Sequence, residues 1–509
     1  MFYYGAMEFN LADLFENAVD TFPDREYIVA NGKRRTFTQM EDRANRLAHH
    51  LAAQGIRPGD HVGIYALNRV EWVETLWAVF KLRAVWVNIN YRYVEDELRY
   101  LFHNADLKAL VMDRSFADRV AVVGKELPEL RHVLVVEDGS TLSIDPLEGA
   151  ADVENYEDAL ASAHGERDFG PRSPDDRYIL YTGGTTGLPK GVVWRHEDVL
   201  FALGGGLDVI SGERITRPER LAEKGVEQGG QRTYHPVAPL MHGASQWAVM
   251  GQSFMGHRIV LADRFEAASA WKLVETEKVN VMMITGDAMA RPLVEELQHA
   301  RTVGPDYDLS NFYALSSTAA IFSTSLKDAF FGLLPNIVMT DAIGSSESGA
   351  NGVVLVSPDK TAMHGGPTVT MVGQSVVLDD SYKPVQPGSG VIGRLARSGD
   401  IPIGYYRDEK KTAETFVEVD GVRYVIVGDL ASVEADGTVT LLGRGSVSIN
   451  SGGEKIFPEE VESAVRSHPD VMDAIVCGAP DERWGQTVAA IVQPRSGHAA
   501  PTLEALQEH

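Results

Sequence analysis

The sequence predicts an α/β protein in which helices cover a parallel sheet, followed by a small α+β domain at the C-terminal end. Two observations lead to this prediction. Apolar strands alternate with amphipathic helices between residues 61 and 112, which is the βαβαβ pattern of a parallel sheet. From about Gly445 the pattern changes to a Gly-Gly turn, a helix that begins near Pro458 and a short strand at residues 474–477. The 509 residues leave room for more than one domain.

The first predicted element is an amphipathic helix that begins near Thr38. Thr38 and Glu41 have the spacing of a capping box, in which both side chains satisfy free amides at a helix start. Apolar residues follow at helical spacing up to Ala52, and Gly55 is a typical residue after a helix end. After it we expect a strand at 61–65, a helix at 69–82, a strand at 85–87, a helix at about 94–103 and a strand at 109–112.

Two later segments carry a weaker pattern. Residues 211–232 are polar, charged and contain glycine, which is typical of a surface insertion or long loop, with a functional lid as the alternative. Near the C-terminal end, Thr502 is placed to cap a helix that begins at Leu503, so we expect the chain to stop inside an element. Cys477 ends an apolar run that begins at Ala474, and we expect this thiol to lie in the core.

Composition excludes several classes of protein. The chain is 44% hydrophobic and 23% charged, as folded globular proteins are, and 47 basic against 72 acidic residues give a net charge of −25. This charge disfavours nucleic acid and anionic membranes as partners. The single cysteine excludes an internal disulfide and a cysteine-based zinc site. No apolar run approaches a membrane span, and the first residues lack a secretory signal, so we expect a cytoplasmic protein.

The strongest motif follows the apolar strand residues 178–180. Its glycines let the backbone approach an anion closely, its threonine hydroxyls add hydrogen-bond donors, and its lysine adds a positive charge. The sequence therefore predicts a loop that binds phosphate groups. It differs from the nucleotide-triphosphatase form, in which Gly-Lys-Ser/Thr begins a helix. The motif comprises Tyr181, Thr182, Gly183, Gly184, Thr185, Thr186, Gly187, Leu188, Pro189, Lys190 and Gly191.

This loop resembles the phosphate loop of the adenylate-forming superfamily of acyl-CoA synthetases, nonribosomal-peptide adenylation domains and luciferases. A second run, Asp-Ala-Ile-Gly-Ser-Ser-Glu at residues 341–347, resembles the family element Asn/Asp-x-Tyr-Gly-x-Thr-Glu. The resemblance implies that Glu347 binds Mg²⁺ and that Asp341 meets the adenine amine. Ile343 replaces the aromatic residue that usually stacks on adenine, and Ser-Ser-Thr-Ala at 316–319 replaces the usual Gly-Gly-Ala. The remaining nucleotide-binding residues implied by this element are Gly344, Ser345 and Ser346, the last in place of threonine.

Further motifs extend the resemblance over essentially the whole chain. Asp429, in Val-Gly-Asp, matches the carboxylate that accepts the ribose hydroxyls, and Arg444 matches the arginine that reaches ribose or phosphate. His242, in Pro-Leu-Met-His, matches the residue beside the activated carboxylate that lines the acyl tunnel; a core histidine is the alternative. A metal site formed by His235 and His242 lacks an evident third ligand.

The resemblance also implies a domain arrangement. Residues 1–443 would form a large adenylation domain of βαβ layers with a smaller β subdomain and the acyl pocket, and residues 444–509 a small mobile C-terminal domain. Rotation at the hinge, Gly445-Ser446, would carry Gly452 and Gly453 to the thioester site, where they line the tunnel for CoA. The family's adenylating lysine does not follow Lys455 here, so we expect either a shortened chain or an impaired first half-reaction.

Together the motifs predict an ATP-dependent acyl-CoA ligase with Lys190, Glu347 and His242 as catalytic residues and ATP, Mg²⁺ and CoA as cofactors. Segments at 194–198, 285–292 and 444–450 resemble actinobacterial ligases of long-chain and steroid side-chain acids, so we expect a large apolar acid as substrate. The alternatives are an enzyme that loads a carrier protein and a non-catalytic relative that binds acyl-adenylate or lipid. A homodimer is left open. The small residues expected to leave space for the acid are Ala244, Ala288 and Ala290.

Overall fold

The computed structural model describes the chain except for residues 1–7, 128, 148–150, 184–187, 210, 305, 358–366, 445–448, 452–453 and 482–484. Within the described part the fold is mixed α/β, with a large N-terminal and a small C-terminal domain, which confirms the predicted fold class. The hinge Gly445-Ser446 lies outside the described residues. The predicted boundary after residue 443 falls in the strand Val439–Arg444 and stays a prediction. None of the described helices has the length and apolar character that crossing a membrane requires.

An eight-stranded sheet contains the strands predicted between residues 61 and 112. Strands His61–Tyr65, Val85–Asn88 and Leu107–Asp113 pair in parallel, and helices Val70–Lys81 and Glu95–Asn104 connect them. The βαβαβ prediction is therefore confirmed, with ends that differ from the predicted ones by one or two residues. The other strands of this sheet are His132–Val136, Asp152–Asn155, Arg177–Thr182, Lys190–Arg195 and Gly404–Tyr405.

A 15-stranded sheet begins with mostly parallel strands and ends with antiparallel ones. The antiparallel end corresponds to the smaller β subdomain. The strands with parallel neighbours are Glu26–Ala30, Arg258–Leu261, Thr233–Pro236, Val281–Ile284, Ala314–Thr318 and Val338–Ser345. The strands with only antiparallel neighbours are Lys33–Thr36, Gly349–Val356, Thr368–Met371, Ser375–Leu378, Ile392–Ser398, Phe416–Val419, Val422–Val425, Asp429–Val433 and Val439–Arg444.

The largest apolar cluster joins residues of both sheets and of the helices between their strands. In it the rings of Phe15 and Trp77 stack with centroids 4.3 Å apart. The remaining helices of the N-terminal domain are Leu11–Thr21, Ala117–Gly124, Tyr156–Ala161, His196–Ala202, Gly243–Phe254, Ala267–Thr276, Gly286–Val303, Thr324–Leu333 and Glu409–Thr415, with 3₁₀ turns at Arg114–Phe116 and Asp145–Leu147.

The first predicted helix spans Phe37–Ala53, but its cap lies two residues before the predicted one. Thr36 Oγ accepts a hydrogen bond from the Gln39 amide at 3.2 Å, and Gln39 Oε1 accepts one from the Thr36 amide at 2.9 Å. Thr38 instead donates its hydroxyl to a backbone carbonyl outside the helix, and Glu41 accepts from a buried lysine. The Thr38–Glu41 prediction was wrong because Thr36 is the last residue with extended backbone, as a cap requires.

The segment 211–232 is not a long loop. It contains the helix Arg220–Glu227, whose Leu221 and Ala222 are buried, and Ile215 joins them in the largest apolar cluster. The long-loop prediction was wrong because the helix is only eight residues long and contains Gly225, so its apolar side is too short to stand out among the charged residues around it. The surface insertion stays a prediction. The alternative role as a lid stays a prediction.

The C-terminal domain contains a four-stranded sheet, Ile449–Ser451, Glu454–Ile456, Val471–Asp481 and Gly485–Pro494, with helix Pro458–Ser467 packed on it. Thr502 caps the helix Leu503–Glu508, as predicted. Cys477 is exposed, so its predicted place in the core was wrong. The strand that carries it buries alternate residues, Ala474 and Val476, and turns Cys477 to the opposite face.

A buried asparagine at the end of the strand Val85–Asn88 connects three backbone groups. The Asn88 Nδ2 group donates to the carbonyls of Tyr181 at 3.0 Å and Met241 at 2.7 Å, and Oδ1 accepts from the Tyr181 amide at 2.7 Å. Tyr181 begins the phosphate-loop motif and Met241 precedes His242. One side chain therefore holds two candidate functional segments together.

We expect Asn88→Leu to lower the midpoint of thermal unfolding by at least about 5 °C. Leucine has a similar volume but leaves three buried backbone groups without this hydrogen-bond partner. Each unpaired group costs about 1–3 kcal/mol of the free energy of unfolding. Asn88→Asp keeps the acceptor for the Tyr181 amide but turns its second oxygen toward the Tyr181 and Met241 carbonyls, so this buried repulsion should also lower the midpoint. Scanning calorimetry measures both midpoints. A midpoint of Asn88→Leu equal to that of the parent would contradict the role of the amide.

Candidate active site

A cavity of about 800 Å³ lies where parallel strands of both sheets end. Thr182, Thr318 and Ser345 are the last residues of their strands, Thr285 directly follows another, and all four line the cavity. Ligands of open α/β sheets bind at the carboxyl ends of strands, because the loops that follow diverge there. The position of the cavity is therefore that of a substrate site.

The structure brings many of the predicted residues together around this cavity, although they are distant in sequence. Six others, Gly184, Thr185, Thr186, Gly187, Gly452 and Gly453, lie outside the described residues. The roles of all these residues stay predictions. The predicted residues that line the cavity are Thr182, Gly183, Lys190, His242, Gly344, Ser345, Ser346 and Glu347.

The two ends of the phosphate-loop motif are neighbours at the base of the cavity. Thr182 ends one strand and Lys190 begins the next, and the two residues are directly opposite in the antiparallel pair. The Lys190 ammonium lies 5.6 Å from the centroid of the Tyr405 ring, within the range of a cation–π contact. The loop between Thr182 and Lys190 thus starts and ends at the cavity wall.

Glu347 is held in place by a local turn and by a tyrosine from another part of the chain. Ser345 Oγ accepts from the amides of Glu347 at 3.2 Å and Ser348 at 3.1 Å, which fixes the turn that follows the strand. The Tyr405 hydroxyl donates to Glu347 Oε1 at 2.8 Å. The carboxylate is half-buried and faces the cavity. Tyr405 belongs to a two-residue strand, which is too short to give a sequence pattern, so the sequence did not indicate it.

Glycine is required where this turn closes. A β-carbon on Gly344 would lie 2.2 Å from the Gly349 carbonyl oxygen, because a register shift after Ile343 brings the two strands close. Gly349 has φ of +70°, which other residues adopt at a cost. The Gly344 of the motif therefore shapes the hairpin that presents Glu347.

Three predicted nucleotide contacts, Asp341, Asp429 and Arg444, are not among the described residues that line the cavity. Asp341 is buried, its carboxylate lies 2.7 Å from Lys327 Nζ, and it is not among the described residues that line the cavity. Burial raises the pKa of Asp341, against the opposing effect of Lys327. Asp429 lies opposite Arg444 in an antiparallel strand pair, and the preceding Gly428 lines the cavity. The adenine contact of Asp341 and the ribose contacts of Asp429 and Arg444 stay predictions.

The two histidines that the sequence singled out have separate roles. The ring of His242 lines the cavity. The protein atoms around it exclude water and disfavour the charged ring, which lowers the pKa of His242, and the positive charge of Arg92 lowers it further. Its imidazole is therefore neutral at neutral pH. His235 is buried, donates Nδ1–H to the Val260 carbonyl at 2.7 Å and has its pKa lowered by burial to about 4. His235 is a core histidine.

One wall of the cavity is apolar. Of the three small residues expected there, only Ala244 lines it. Ala290 is buried in another apolar cluster and Ala288 is exposed elsewhere, because the helix Gly286–Val303 turns these positions away from the cavity. That part of the pocket prediction was wrong. The apolar wall comprises Leu180, Leu203, Met241, Ala244, Trp247 and Ile343.

The charged side chains of the described lining, three cations and two carboxylates, sum to one positive charge, in contrast to the net charge of −25 for the whole chain. Arg394 and Lys411 line it together with Lys190, and Glu347 and Glu414 are the acidic residues of the lining. An anionic substrate would meet these cations at short range, where they outweigh the distant acidic surface. Sequence reasoning missed Arg394 and Lys411, since isolated basic residues resemble ordinary surface positions.

Comparison with family models shows which protein family the chain belongs to. A family model described as AMP-binding enzyme matches residues 15–406, and one described as AMP-binding enzyme C-terminal domain matches residues 460–509. The chain belongs to the AMP-binding enzyme family. This confirms the resemblance that the phosphate-loop motif and the Asp341–Glu347 element indicated.

Characterised members of the AMP-binding family are similar over nearly the whole chain. A 3-oxocholest-4-en-26-oate--CoA ligase of Rhodococcus rhodochrous is 50% identical over 98% of this chain and 89% of its own length. A medium/long-chain-fatty-acid--CoA/3-oxocholest-4-en-26-oate--CoA ligase of Mycolicibacterium smegmatis is 52% identical over 99% of this chain and 90% of its own. A medium-chain acyl-CoA ligase of Mycobacterium avium is 40% identical over 95% of this chain and 88% of its own.

Solved structures of other AMP-binding enzymes share the fold. The anthranilate CoA ligase AuaEII in complex with anthranoyl-AMP has a TM-score of 0.82 at 22% identity, covering 99% of this chain and 90% of that one. ATP-bound MatB of Rhodopseudomonas palustris has a TM-score of 0.78 at 22% identity, covering 96% and 90%. The arrangement of a large α/β domain and a small C-terminal domain is thus that of the family.

Proposed function

We propose that this AMP-binding enzyme is an ATP-dependent acid–thiol ligase that joins a large apolar carboxylic acid to CoA through an acyl-adenylate. One observation carries the proposal: a single cavity combines a cationic, hydroxyl-rich side at Lys190 with a carboxylate at Glu347 and an apolar wall. The polar side suits the phosphates of ATP and the apolar wall suits an acyl group. The relatives named above act on steroid and fatty acids as CoA ligases, which supports the same chemistry and substrate class here.

The proposed reaction has two half-reactions. The carboxylate of the acid attacks the α-phosphorus of ATP and pyrophosphate leaves; the thiol of CoA then attacks the acyl carbon and AMP leaves. Both steps depend on positioning and on stabilising negative charge. Lys190 would neutralise charge on the phosphates. His242 would lie beside the acyl carboxylate as a neutral imidazole.

The residues around Glu347 fit a magnesium ion bound to ATP. Mg²⁺ at a nucleotide is commonly held by one or two carboxylates together with phosphate oxygens. Glu347 offers such a carboxylate at the cavity wall, already oriented by the Tyr405 hydroxyl and by the turn at Ser345. The ion would supply charge neutralisation at the phosphates. The Tyr405 hydroxyl would then hold the Glu347 carboxylate in the position in which it binds the magnesium ion.

Three features of the proposal rest on the sequence alone. Rotation at Gly445-Ser446 would move the C-terminal domain between the orientations needed for the two half-reactions. Gly452 and Gly453 would leave room for the pantetheine arm of CoA. A cytoplasmic location is likewise an expectation from the sequence, which leaves a homodimer open.

The proposed activity is tested by ATP–pyrophosphate exchange with acids from acetate to long-chain fatty acids and a steroid side-chain acid. Each CH₂ buried on the apolar wall contributes about 0.8 kcal/mol, so we expect kcat/KM to rise about three- to fourfold per carbon until the wall is covered. Mass spectrometry of the product with CoA present distinguishes a CoA ligase from an enzyme that loads a carrier protein. A maximum at two to four carbons would contradict the substrate class, and an adenylate that CoA does not release would contradict the second half-reaction.

We expect Lys190→Ala and Glu347→Ala each to slow adenylate formation at least tenfold, because each removes charge stabilisation at the phosphates or their metal.

Tyr405→Phe should raise the Mg²⁺ concentration needed for half-maximal rate severalfold, since Glu347 loses its orienting hydroxyl. Tyr406→Phe is the matched control: its hydroxyl donates to Asp106 at 2.7 Å, and Tyr406 is not among the described residues lining the cavity. Equal Mg²⁺ dependence in the two tyrosine variants would refute the role of Tyr405.

We expect Ala244→Phe to shorten the preferred acid. The added ring would occupy the apolar wall, so kcat/KM should fall at least tenfold for the longest acids and change little for acetate. Ala288→Phe, at an exposed position outside the described cavity lining, provides the control and should keep the parent profile. The measurement is kcat/KM of the parent and both variants for each acid of the same panel. Loss of the same factor for short and long acids would mean that Ala244 does not contact the acyl chain.

A further inference from the structure

A cluster of two histidines and a glutamate lies at the edge of the eight-stranded sheet, apart from the cavity. His50 is in the last turn of the helix Phe37–Ala53, His132 begins its strand, and Glu154 lies in the neighbouring edge strand. We propose that His50, His132 and Glu154 bind one divalent cation of the zinc type, in a site distinct from the nucleotide cavity. The proposal is independent of the catalytic function.

The spacing of the three side chains matches a tetrahedral metal. His50 Nε2 lies 3.0 Å from His132 Nε2 and 3.2 Å from Glu154 Oε2. Ligands about 2.0–2.1 Å from a tetrahedral zinc ion are about 3.3 Å from one another. Two imidazole nitrogens and one carboxylate are also a donor set that zinc accepts. Small movements would therefore place all three atoms at coordination distance.

The hydrogen bonds of His50 show which of its nitrogens carries the proton. Ser162 Oγ donates its hydrogen to the Ala159 carbonyl at 2.7 Å, so toward His50 Nδ1, at 3.1 Å, it acts as an acceptor. Nδ1 therefore carries the proton, and Nε2 presents its lone pair to the cluster. An outer hydrogen bond of this kind orients metal-binding histidines.

Without a metal, this protonation state makes His132 the donor of the 3.0 Å hydrogen bond to His50 Nε2. The Glu154 oxygen 3.2 Å from His50 Nε2 then faces a nitrogen that carries no proton, and Asp152, opposite His132 in the strand register, adds negative charge. His132 is buried, and its Nδ1 has no hydrogen-bond partner among the described residues. A divalent cation would take the place of the proton on His132 Nε2, which would move to Nδ1, and would bond to both Nε2 atoms and to the Glu154 oxygen.

The cluster is closed on one side and open on the other. His50 and His132 are both buried. The Glu154 side chain is 33% exposed, so water can reach the cluster and complete a fourth position.

A neighbouring cluster provides an internal control. His49 Nε2 lies 3.0 Å from the Glu166 carbonyl and 2.9 Å from Asp168 Oδ1. Because both partners accept hydrogen bonds, this nitrogen carries a proton and offers no lone pair. His49 therefore differs from His50, the next residue, in the one property that metal binding requires.

The test uses full-length protein without a histidine tag, stripped with a chelator and dialysed against Zn²⁺, followed by elemental analysis and competition for affinity. We expect one zinc per chain in the parent and in His49→Gln, and at least tenfold weaker binding in Glu154→Gln and Ser162→Ala. Glu154 is at the surface, so Glu154→Gln should fold, which circular dichroism checks. Co²⁺ in place of Zn²⁺ should give the visible absorption of a tetrahedral ion in the parent and in His49→Gln, and should lose it in Glu154→Gln at the same Co²⁺ concentration.

Two results would overturn the proposal. The first is a parent that retains less than one zinc per chain at micromolar free Zn²⁺, which would mean that the histidine pair shares a proton and no metal. The second is equal zinc affinity in the parent and Glu154→Gln, or loss of zinc in His49→Gln, which would place the ion elsewhere. One zinc lost selectively in Glu154→Gln, together with a higher thermal midpoint of the parent in zinc, would support it.

Discussion

The proposed active site depends on a constraint that Asn88 satisfies: segments from different sheets must end at the same cavity. The Asn88 amide bonds to both backbone groups of Tyr181 and to the Met241 carbonyl, so it joins the start of the phosphate-loop motif to the segment before His242. A buried amide that forms all these bonds specifies one arrangement, because any displacement would leave backbone groups unpaired. This attachment fixes the start of the phosphate-loop motif relative to the segment before His242.

Charge at the site is arranged against the charge of the protein as a whole. The chain is strongly acidic, yet three cations against two carboxylates give the described lining of the cavity one positive charge. Glu347 is oriented by the Tyr405 hydroxyl and the Ser345 turn before any ligand arrives. Such preorganisation matters for phosphate chemistry, because groups that are already oriented need no rearrangement as charge develops.

The cavity and the histidine cluster use the eight-stranded sheet in different ways. The cavity lies at the carboxyl ends of inner strands, where diverging loops leave room for a large substrate. The cluster lies at the edge strand Asp152–Asn155, where a helix residue, His50, reaches the sheet. A cation there would join the helix Phe37–Ala53 to the sheet edge, so it would act on stability and not on the reacting groups.

The sequence by itself determined the family, the alternation of strands and helices, and six polar residues of the described cavity lining, because these depend on local pattern. The phosphate-loop motif, the Asp341–Glu347 element and the helix and strand order at 61–112 are contiguous runs whose chemistry is visible in one dimension. Local pattern failed where spacing is ambiguous: the capping box lies at Thr36 and not Thr38, and Cys477 lies on the outer face of its strand.

Tertiary structure alone decided the contacts between residues far apart in sequence. Tyr405 reaches Glu347 across 58 residues and Asn88 reaches Met241 across 153 residues. The pairing of Asp341 with Lys327, the burial of Ala290 and the meeting of His50 with His132 are of the same kind. Each depends on which face of a helix or strand packs on a neighbour. The periodicity of one segment limits that choice, but only the packing of the whole chain makes it.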